Sequence, residues 1–398
     1  MQDTLLSASL QVKKGRQIRF KQPEVRGTLQ LNAHYLSQYS GIKEGGLYNE
    51  KLLEELDDAL RELPFCNLIK PSQIEFSGEN AQVVSFLDSR NASKFDLVIG
   101  VLPNNAITGR LLITGDGNLK LYNVFNAGEL FDLHFTQLES ATKELQTAFM
   151  YPYLPALPLG IDLGFSLFLR DSTFLERNAL AGILFRFRGN NYVKAFTDFY
   201  NSDILKVDTA FVLATQSLPE NVDINTTSYG AGMHYENLNY IYNPRSGIFI
   251  ELEGAAGIKE IKQNAAILEL TDAANPEYNF ASVYDSVDLQ TLAINYKFNL
   301  QYYFPLFRQS TIRTALAGAA LINDKIFTNE LFRIGGNKLL RGFDEQSVTA
   351  STYYIFTLEY RYLLSVNSFM QIFTDVGYTL NKSVTPYTED FPVGFGAG

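Results

Sequence analysis

The sequence has one cysteine, Cys66, no tryptophan, four methionines and three histidines in 398 residues. A single thiol excludes an intrachain disulfide and a cysteine-based metal site. His34, His134 and His234 stand far apart in the chain, so each reads as structural, and no metal or other cofactor is implied. Positive charge is also short: 33 Lys and Arg against 43 Asp and Glu leave a net charge of −10. That balance argues against nucleic acid as a partner, because phosphate binding needs a basic face. Charged residues make up only 19% of the chain, yet no run of about eighteen apolar residues occurs, which excludes a membrane-crossing helix. A spanning β-barrel survives these exclusions. Its signal is alternation, which leaves mean hydropathy near neutral, here −0.06. No nucleophile–base constellation, nucleotide loop or metal spacing points to an enzyme.

What the sequence has in excess is aromatic residues, 13% of the chain, carried by 30 Phe and 23 Tyr. Such side chains suit a pleated, half-buried surface and favour β-structure. Residues 1–92 nevertheless read as a small α+β module. In "GGLYNEKLLEELDDALRELPF", Asn49 is a candidate N-cap, Leu52, Leu53, Leu56, Leu60 and Leu63 share one helical face, and Pro64 ends the helix. "LNAHYLSQYSG" reads as a first helix, with "GRQIRF" as a strand before and "SQIEF" and "AQVVSFLD" as strands after. This is the only clearly helical part of the chain, and its leucines read as module core. Cys66 is expected to be buried or inert.

From residue 93 to 398 the pattern changes to long segments of period two. In "GIDLGFSLFLRD", Ile161, Leu163, Phe165, Leu167 and Leu169 share one face, while Asp162, Gly164, Ser166 and Arg170 share the other. "AINYKFNLQY" and "YYIFTLEYRYLL" alternate in the same way. Soluble strands usually run for about five or six residues, whereas these match the roughly ten-residue span of a tilted membrane strand. About fourteen such strands begin near 95, 107, 129, 143, 160, 179, 191, 226, 246, 290, 309, 349, 367 and 391. Short turns such as "VFNAG", "GNN", "NPRSG" and "LSVNS" alternate with the long connections 203–225, 259–289, 322–348 and 380–390. That parity suits a membrane barrel with turns on one side and loops on the other. Tyrosines near strand ends stand where tryptophan would otherwise form the interfacial girdle.

One long connection holds "FRIGGNKLLRGFDEQS", residues 332–347, in which an arginine sits among apolar residues and glycines. An arginine so flanked is expected to fold inward, and a charge inside a barrel needs a carboxylate partner. The following strands offer two on their lumenal faces: Glu359 in "TLEYR" and Asp375 in "QIFTDVGY". Arg341 can present its planar fork to one or both. Gly342 would let the backbone approach the wall, and Phe343 would anchor the tip. The other Arg-Gly pairs, Arg26–Gly27 and Arg188–Gly189, read as turn or strand-end pairs.

Here the residues resemble a family. "RIGGNKLLRGFD" and the later "FTDVG" are similar to the BamA-like outer-membrane insertase and translocase superfamily, also called the bacterial surface-antigen family. The resemblance implies periplasmic POTRA modules ahead of a sixteen-stranded barrel in the bacterial outer membrane. It also implies a sixth extracellular loop that folds into the lumen with an Arg-Gly-Phe/Tyr motif. Arg341, Gly342 and Phe343 take the positions of that motif, with Gly335 and Gly336 in the same loop, Asp375 as its wall partner and Glu359 as a second acidic position. The "GGLYNEKLLEEL…LPF" module resembles a POTRA domain and would lie in the periplasm. The function implied is insertion or translocation of other proteins, without an enzymatic step. The partners implied are the lipid bilayer, unfolded outer-membrane or secreted clients and accessory periplasmic lipoproteins. The chain departs from the family in having about fourteen strands. Both ends read as cut: "MQDTLLSASLQVKKGRQIRF" lacks the apolar core of a secretory signal, and "DFPVGFGAG" stops as a strand begins. Two other readings fit the alternation, a passive porin-like solute channel and the barrel anchor of a larger surface hydrolase.

Overall fold

The computed structural model describes residues 15–103, 111–137, 142–155, 157–170, 173–273 and 275–398. The chain forms two compact units, Met1–Arg90 and Asn91–Gly398. In the first, the order is β1 (Arg19–Phe20), β2 (Glu24–Arg26), α1 (Ala33–Ser40), α2 (Glu50–Glu62), β3 (Cys66–Ser77) and β4 (Asn80–Ser89). Asn32 and Asn49 each accept a backbone N–H at the helix starts, and Gly41 closes α1 in the left-handed conformation. β3 and β4 form an antiparallel hairpin, and β1 and β2 add parallel to the other edge of β4. Leu56 and Leu60 of α2, Leu36 of α1 and Val83, Val84 and Leu87 of β4 are all buried from solvent and form the apolar core of this unit. Cys66 is buried there, and burial pushes its thiol up to about 11, so it is a poor nucleophile at neutral pH.

The second unit is an antiparallel meander. Its strands are β5 (Lys94–Pro103), β6 (Leu111–Tyr122), β7 (Leu130–Gln137), β8 (Lys143–Tyr151), β9 (Leu159–Arg170), β10 (Phe174–Arg188), β11 (Asn191–Ile204), β12 (Asp223–Leu238), β13 (Gly247–Lys262), β14 (Gln290–Phe307) and β15 (Ser310–Ile322). A small hairpin, β16 (Phe332–Ile334) with β17 (Val348–Ala350), interrupts the order before β18 (Thr352–Ser365), β19 (Ser368–Asn381), β20 (Thr388–Asp390) and β21 (Val393–Ala397). Apart from that hairpin, the strands make one 15-stranded sheet in which sequence neighbours pair. β20 and β21 pair with successive parts of β19, so they share one position and the fifteen strands occupy fourteen staves. This is the barrel that the alternation predicts. The expected strand start near 107 lies outside the described residues. β10 begins at Phe174 rather than near 179, because its charged stretch Glu176–Arg177 hides the alternation while the pairing with β9 runs on to Arg170.

Period two sorts the staves into two faces. Leu163, Phe165, Phe304, Phe356, Leu358, Met370, Ile372 and Val376 are exposed on the outer face, where lipid lies. Lumenal positions carry polar groups that find one another: Lys194 Nζ lies 2.9 Å from Asp162 and 2.8 Å from Glu253. On the outer face a row of near-parallel rings crosses β14, β18 and β19: Tyr296–Phe298 at 6.5 Å, Phe298–Tyr354 at 6.1 Å and Tyr354–Tyr378 at 6.2 Å between centroids. No described helix is long and apolar enough to cross a membrane.

Connections at one end of the barrel are short, as at 189–190, 308–309 and 366–367, and the other end carries the long ones, 205–222, 263–289 and 323–351, beside the short 171–173. The long ones are not devoid of helix, which corrects the expectation that helices stop with the first unit. They carry α3 (Thr209–Thr215), α4 (Ala265–Leu268) and a 3₁₀ turn, Phe280–Ser286, begun by Asp208, Asn264 and Asn279 as caps. At seven residues or fewer they are too short to show helical periodicity. Val212, Ile267, Phe280, Val283, Tyr284 and Phe327 bury one another with Ile224 and Ile261 of the wall, making an apolar cap over that end.

If the outer face meets lipid, Ile372→Arg should destabilise the barrel by about 2–4 kcal/mol, while Gln371→Arg, one residue away on the lumenal face, should cost well under half as much. Urea unfolding of the protein in lipid vesicles measures both, and equal costs would contradict the assignment of faces.

Candidate functional site

The long connection 323–351 between β15 and β18 is the sixth at its end of the barrel, and it folds inward. The hairpin β16–β17 forms its stem. At the stem, Arg333 pairs with Glu176 of β10 and lies 4.0 Å from the Phe168 ring, which ties the loop base to the wall. Beyond the stem, Gly335 and Gly336 both take positive φ, and the Gly336 N–H donates to the Phe343 carbonyl at 3.1 Å, closing the loop on itself. Leu340 also has a positive φ of 59°, a conformation that costs a non-glycine residue about 1–3 kcal/mol. Burial offsets that cost: Leu340 is 1% exposed and packs with Ile334 of the stem and Ile355 of β18, flanked by Leu339, Phe343, Val348 and Tyr353. Phe343 thus holds the tip of the loop against the wall.

That packing aims Arg341 at the wall. Its Nε and Nη2 donate to the two oxygens of Asp375, each at 2.9 Å, and its backbone N–H donates to Asp375 Oδ2 at 2.9 Å. Nη1 donates to Glu359 Oε2 at 2.8 Å. The guanidinium carbon lies 3.6 Å from the centre of the Phe373 ring. The two carboxylates are 1% and 2% exposed and the arginine side chain 14%. This fork-on-fork contact is the strongest geometry available to an arginine and a carboxylate. Thr357 Oγ1 donates to Asp375 Oδ1 at 2.7 Å and orients that carboxylate from β18.

Gly342, with φ of 95°, carries the chain past the last stave. The approach is close. A Cβ on Gly394 of β21 would lie 1.8 Å from the Arg341 carbonyl oxygen, so the loop backbone rests where a side chain would stand.

The structure thus brings Arg341, Asp375 and Glu359 together, with Gly342 and Phe343 beside them and Gly335 and Gly336 in the turn that precedes them. Sequence reasoning missed four wall residues of the same cluster. Arg313 lies directly across β15–β18 from Glu359, with Nη1 3.2 Å from Oε2. Arg361, two residues along the same face, binds Oε1 through Nε. Thr357 and Gly394 complete the set. Strand parity places Arg313, Thr357 and Arg361 on the lumenal face, so a register for β15 and β18 was the signal needed to find them.

Polar cavities lie in the lumen beside the loop among the described residues. One, of about 440 Å³, is lined by Asp132, His134, Gln146, Ser166, Asn178 and Lys338 among others. The second, of about 410 Å³, lies against the stem and shares Gln146, Ser166 and Asn178 with the first. Among the described residues no group of His, Cys, Asp and Glu is arranged to hold a metal ion.

Residues 123–398 match the Omp85 superfamily domain. The chain belongs to the Omp85 superfamily. It is an outer-membrane β-barrel protein of that group. The fold is similar to BamA from Haemophilus ducreyi lacking POTRA domains 1–3, with a TM-score of 0.51 at 14% identity over 92% of this chain and 73% of that one. It is also similar to CdiB from Acinetobacter baumannii, with a TM-score of 0.55 at 13% identity over 96% and 67% of the two chains. CdiB from Escherichia coli gives a TM-score of 0.53 at 14% identity over 96% and 69%. At such identities the likeness is one of fold. No curated protein matches the sequence.

Arg341→Ala would leave Asp375 buried with no cation, only the Thr357 hydroxyl and the backbone N–H of residue 341, and is expected to cost this Omp85 barrel about 3–5 kcal/mol. Arg341→Lys should recover only part of that, since a point charge cannot reproduce the fork. The exposed Arg308→Ala should change stability by no more than about 0.5 kcal/mol. Unfolding in vesicles compares the three, and a similar cost for Arg341→Ala and Arg308→Ala would remove the cluster from the account.

Proposed function

We propose that this Omp85 protein assists the insertion or translocation of other polypeptides at the outer membrane. In this reading residues 1–92 are a periplasmic POTRA-like module and residues 93–398 the membrane barrel. The observation that carries it is the loop: Arg341 holds a folded segment inside the lumen by three hydrogen bonds to Asp375 and one to Glu359. A solute channel gains nothing from a latched segment in its bore. A barrel that must stay rigid while its strand edges exchange partners does gain from one.

Two further features support the reading. β3 pairs only with β4 among the described residues, so its outer edge is open to an extended client segment by strand addition. β5 likewise pairs only with β6 among the described residues, and its other edge would present backbone donors and acceptors as a template at the seam. Work done this way is physical: clients gain hydrogen bonds to an edge while their apolar faces partition into lipid, and no covalent bond changes. Unfolded outer-membrane or secreted proteins are the clients, and accessory periplasmic lipoproteins would meet the first unit.

The test is reconstitution. Vesicles carrying the protein should speed the folding of a urea-denatured outer-membrane barrel client by about tenfold or more over empty vesicles, and Arg341→Ala should lose most of that gain. In planar bilayers the same protein should show small, unsteady conductance. A wide, steady, solute-selective pore with no effect on client folding would establish the channel instead.

A further inference from the structure

The charge count around the latch is uneven. On the wall, Arg313 and Arg361 face Glu359 and Asp375, two cations against two anions. Docking of the loop adds a third cation, Arg341, to this group. The carboxylates do not share the excess equally. Glu359 has three guanidinium partners, Arg361 on Oε1 and both Arg313 and Arg341 on Oε2. Asp375 has one, with the Thr357 hydroxyl as its other side-chain contact in the cluster. Arg341 and Arg313 therefore compete for a single oxygen, at 2.8 Å and 3.2 Å.

We propose that Arg313 is a stand-in cation that makes the latch reversible: when the loop withdraws, Arg313 holds Glu359 Oε2 while Arg361 keeps Oε1, so only Asp375 is left unpaired. The geometry is ready for this. Arg313 is fixed by the β15–β18 register directly opposite Glu359, and its Nε lies 3.2 Å from Gln301 Oε1, which the Tyr303 hydroxyl also binds at 2.7 Å. An unpaired buried carboxylate is among the costlier defects a fold can carry. Without the stand-in, loop release would leave Asp375 unpaired and Glu359 Oε2 unmet, with Arg361 on Oε1 alone; with it, only Asp375 loses its cation. Like charge on Arg313 and Arg341 also weakens the docked state directly. Both effects have one sign: removing the Arg313 charge should tighten the latch, although it removes an ion pair from the wall. Asp375 is then the residue that sets whether the loop is held, and Glu359 the one that lets it go.

The inference rests on the proposed reading of the loop as a lumenal latch, and its test reads loop position rather than client insertion. Leu340 is 1% exposed when docked, so Leu340→Cys in a Cys66→Ser background is accessible to a membrane-impermeant maleimide only when the loop leaves the wall. In vesicles, Asp375→Asn should speed labelling at least about tenfold, Arg313→Gln should slow it at least about threefold, and Arg313→Lys should stay within about twofold of the parent. Barrels are scored only if they migrate as folded, heat-modifiable species. Should Arg313→Gln not assemble, Arg313→Met removes the charge while keeping the stem's volume and carries the same test. Labelling of the charge-removed variant that is unchanged or faster overturns the inference. If Asp375→Asn leaves labelling unchanged, the latch reading itself fails, whatever Arg313 does.

Discussion

A guanidinium group can leave water only when its charge and its donors are met, and the barrel's lumen is organised around meeting those of Arg341. The socket needs two carboxylates from adjacent staves at one depth. β18 and β19 supply them because Thr357 and Asp375 are cross-strand partners, and Glu359 lies two residues along the same lumenal face. It also needs the arginine delivered at the right height. The strained Leu340 does this, its cost offset by burial against Ile334 and Ile355. Withdrawing the loop takes from Asp375 its one cation, which is why a loop here behaves as part of the wall.

The lipid imposes the second constraint. A spanning strand must satisfy every backbone group with its neighbours, so the meander keeps its pairing unbroken through β5 to β19, and side chains have only the two faces to choose between. Apolar residues take the outer one. Charged groups are then driven to the lumen, where opposite charges can pair. The Lys194 pairs with Asp162 and Glu253 follow from this as directly as the Arg341 cluster does.

The same constraint explains what was legible in the sequence. Period two reports the face of each residue, so the fourteen staves, the lumenal side of Asp375 and Glu359, and the parity of turns and loops were all readable. The tripeptide Arg341–Phe343 gained meaning from its place in that count. What period two does not report is register and close approach. Arg313 and Glu359 are 46 residues apart and meet only because β15 pairs with β18 across a folded loop. Gly394 looks like an ordinary small residue in "VGFGAG" until the Arg341 carbonyl is placed against it. The short helices of the cap were hidden for a third reason: their stability comes from tertiary burial at Phe280, Val283 and Tyr284 and not from their own few turns.

The docked loop lies against β21. β20 and β21 share the last stave, and the break between them, at Phe391–Pro392, lies beside the docked loop: Pro392 lies within reach of Gly377, and Gly394 bears on Arg341. The staves that carry the socket are braced on their other face as well, by the ring row from Tyr296 through Phe298 and Tyr354 to Tyr378. Gly318 of β15 leaves the space that lets two of those rings close over it, since a Cβ there would stand 2.7 Å from both Phe298 and Tyr354. Stiffness is therefore concentrated in β14–β19, from inside by charge and from outside by stacking. At the other edge, β5 exposes Phe95, Leu97, Ile99 and Val101 and rests on β6 alone among the described residues. Fewer side-chain interactions hold β5 than hold β14–β19, so local opening costs less there.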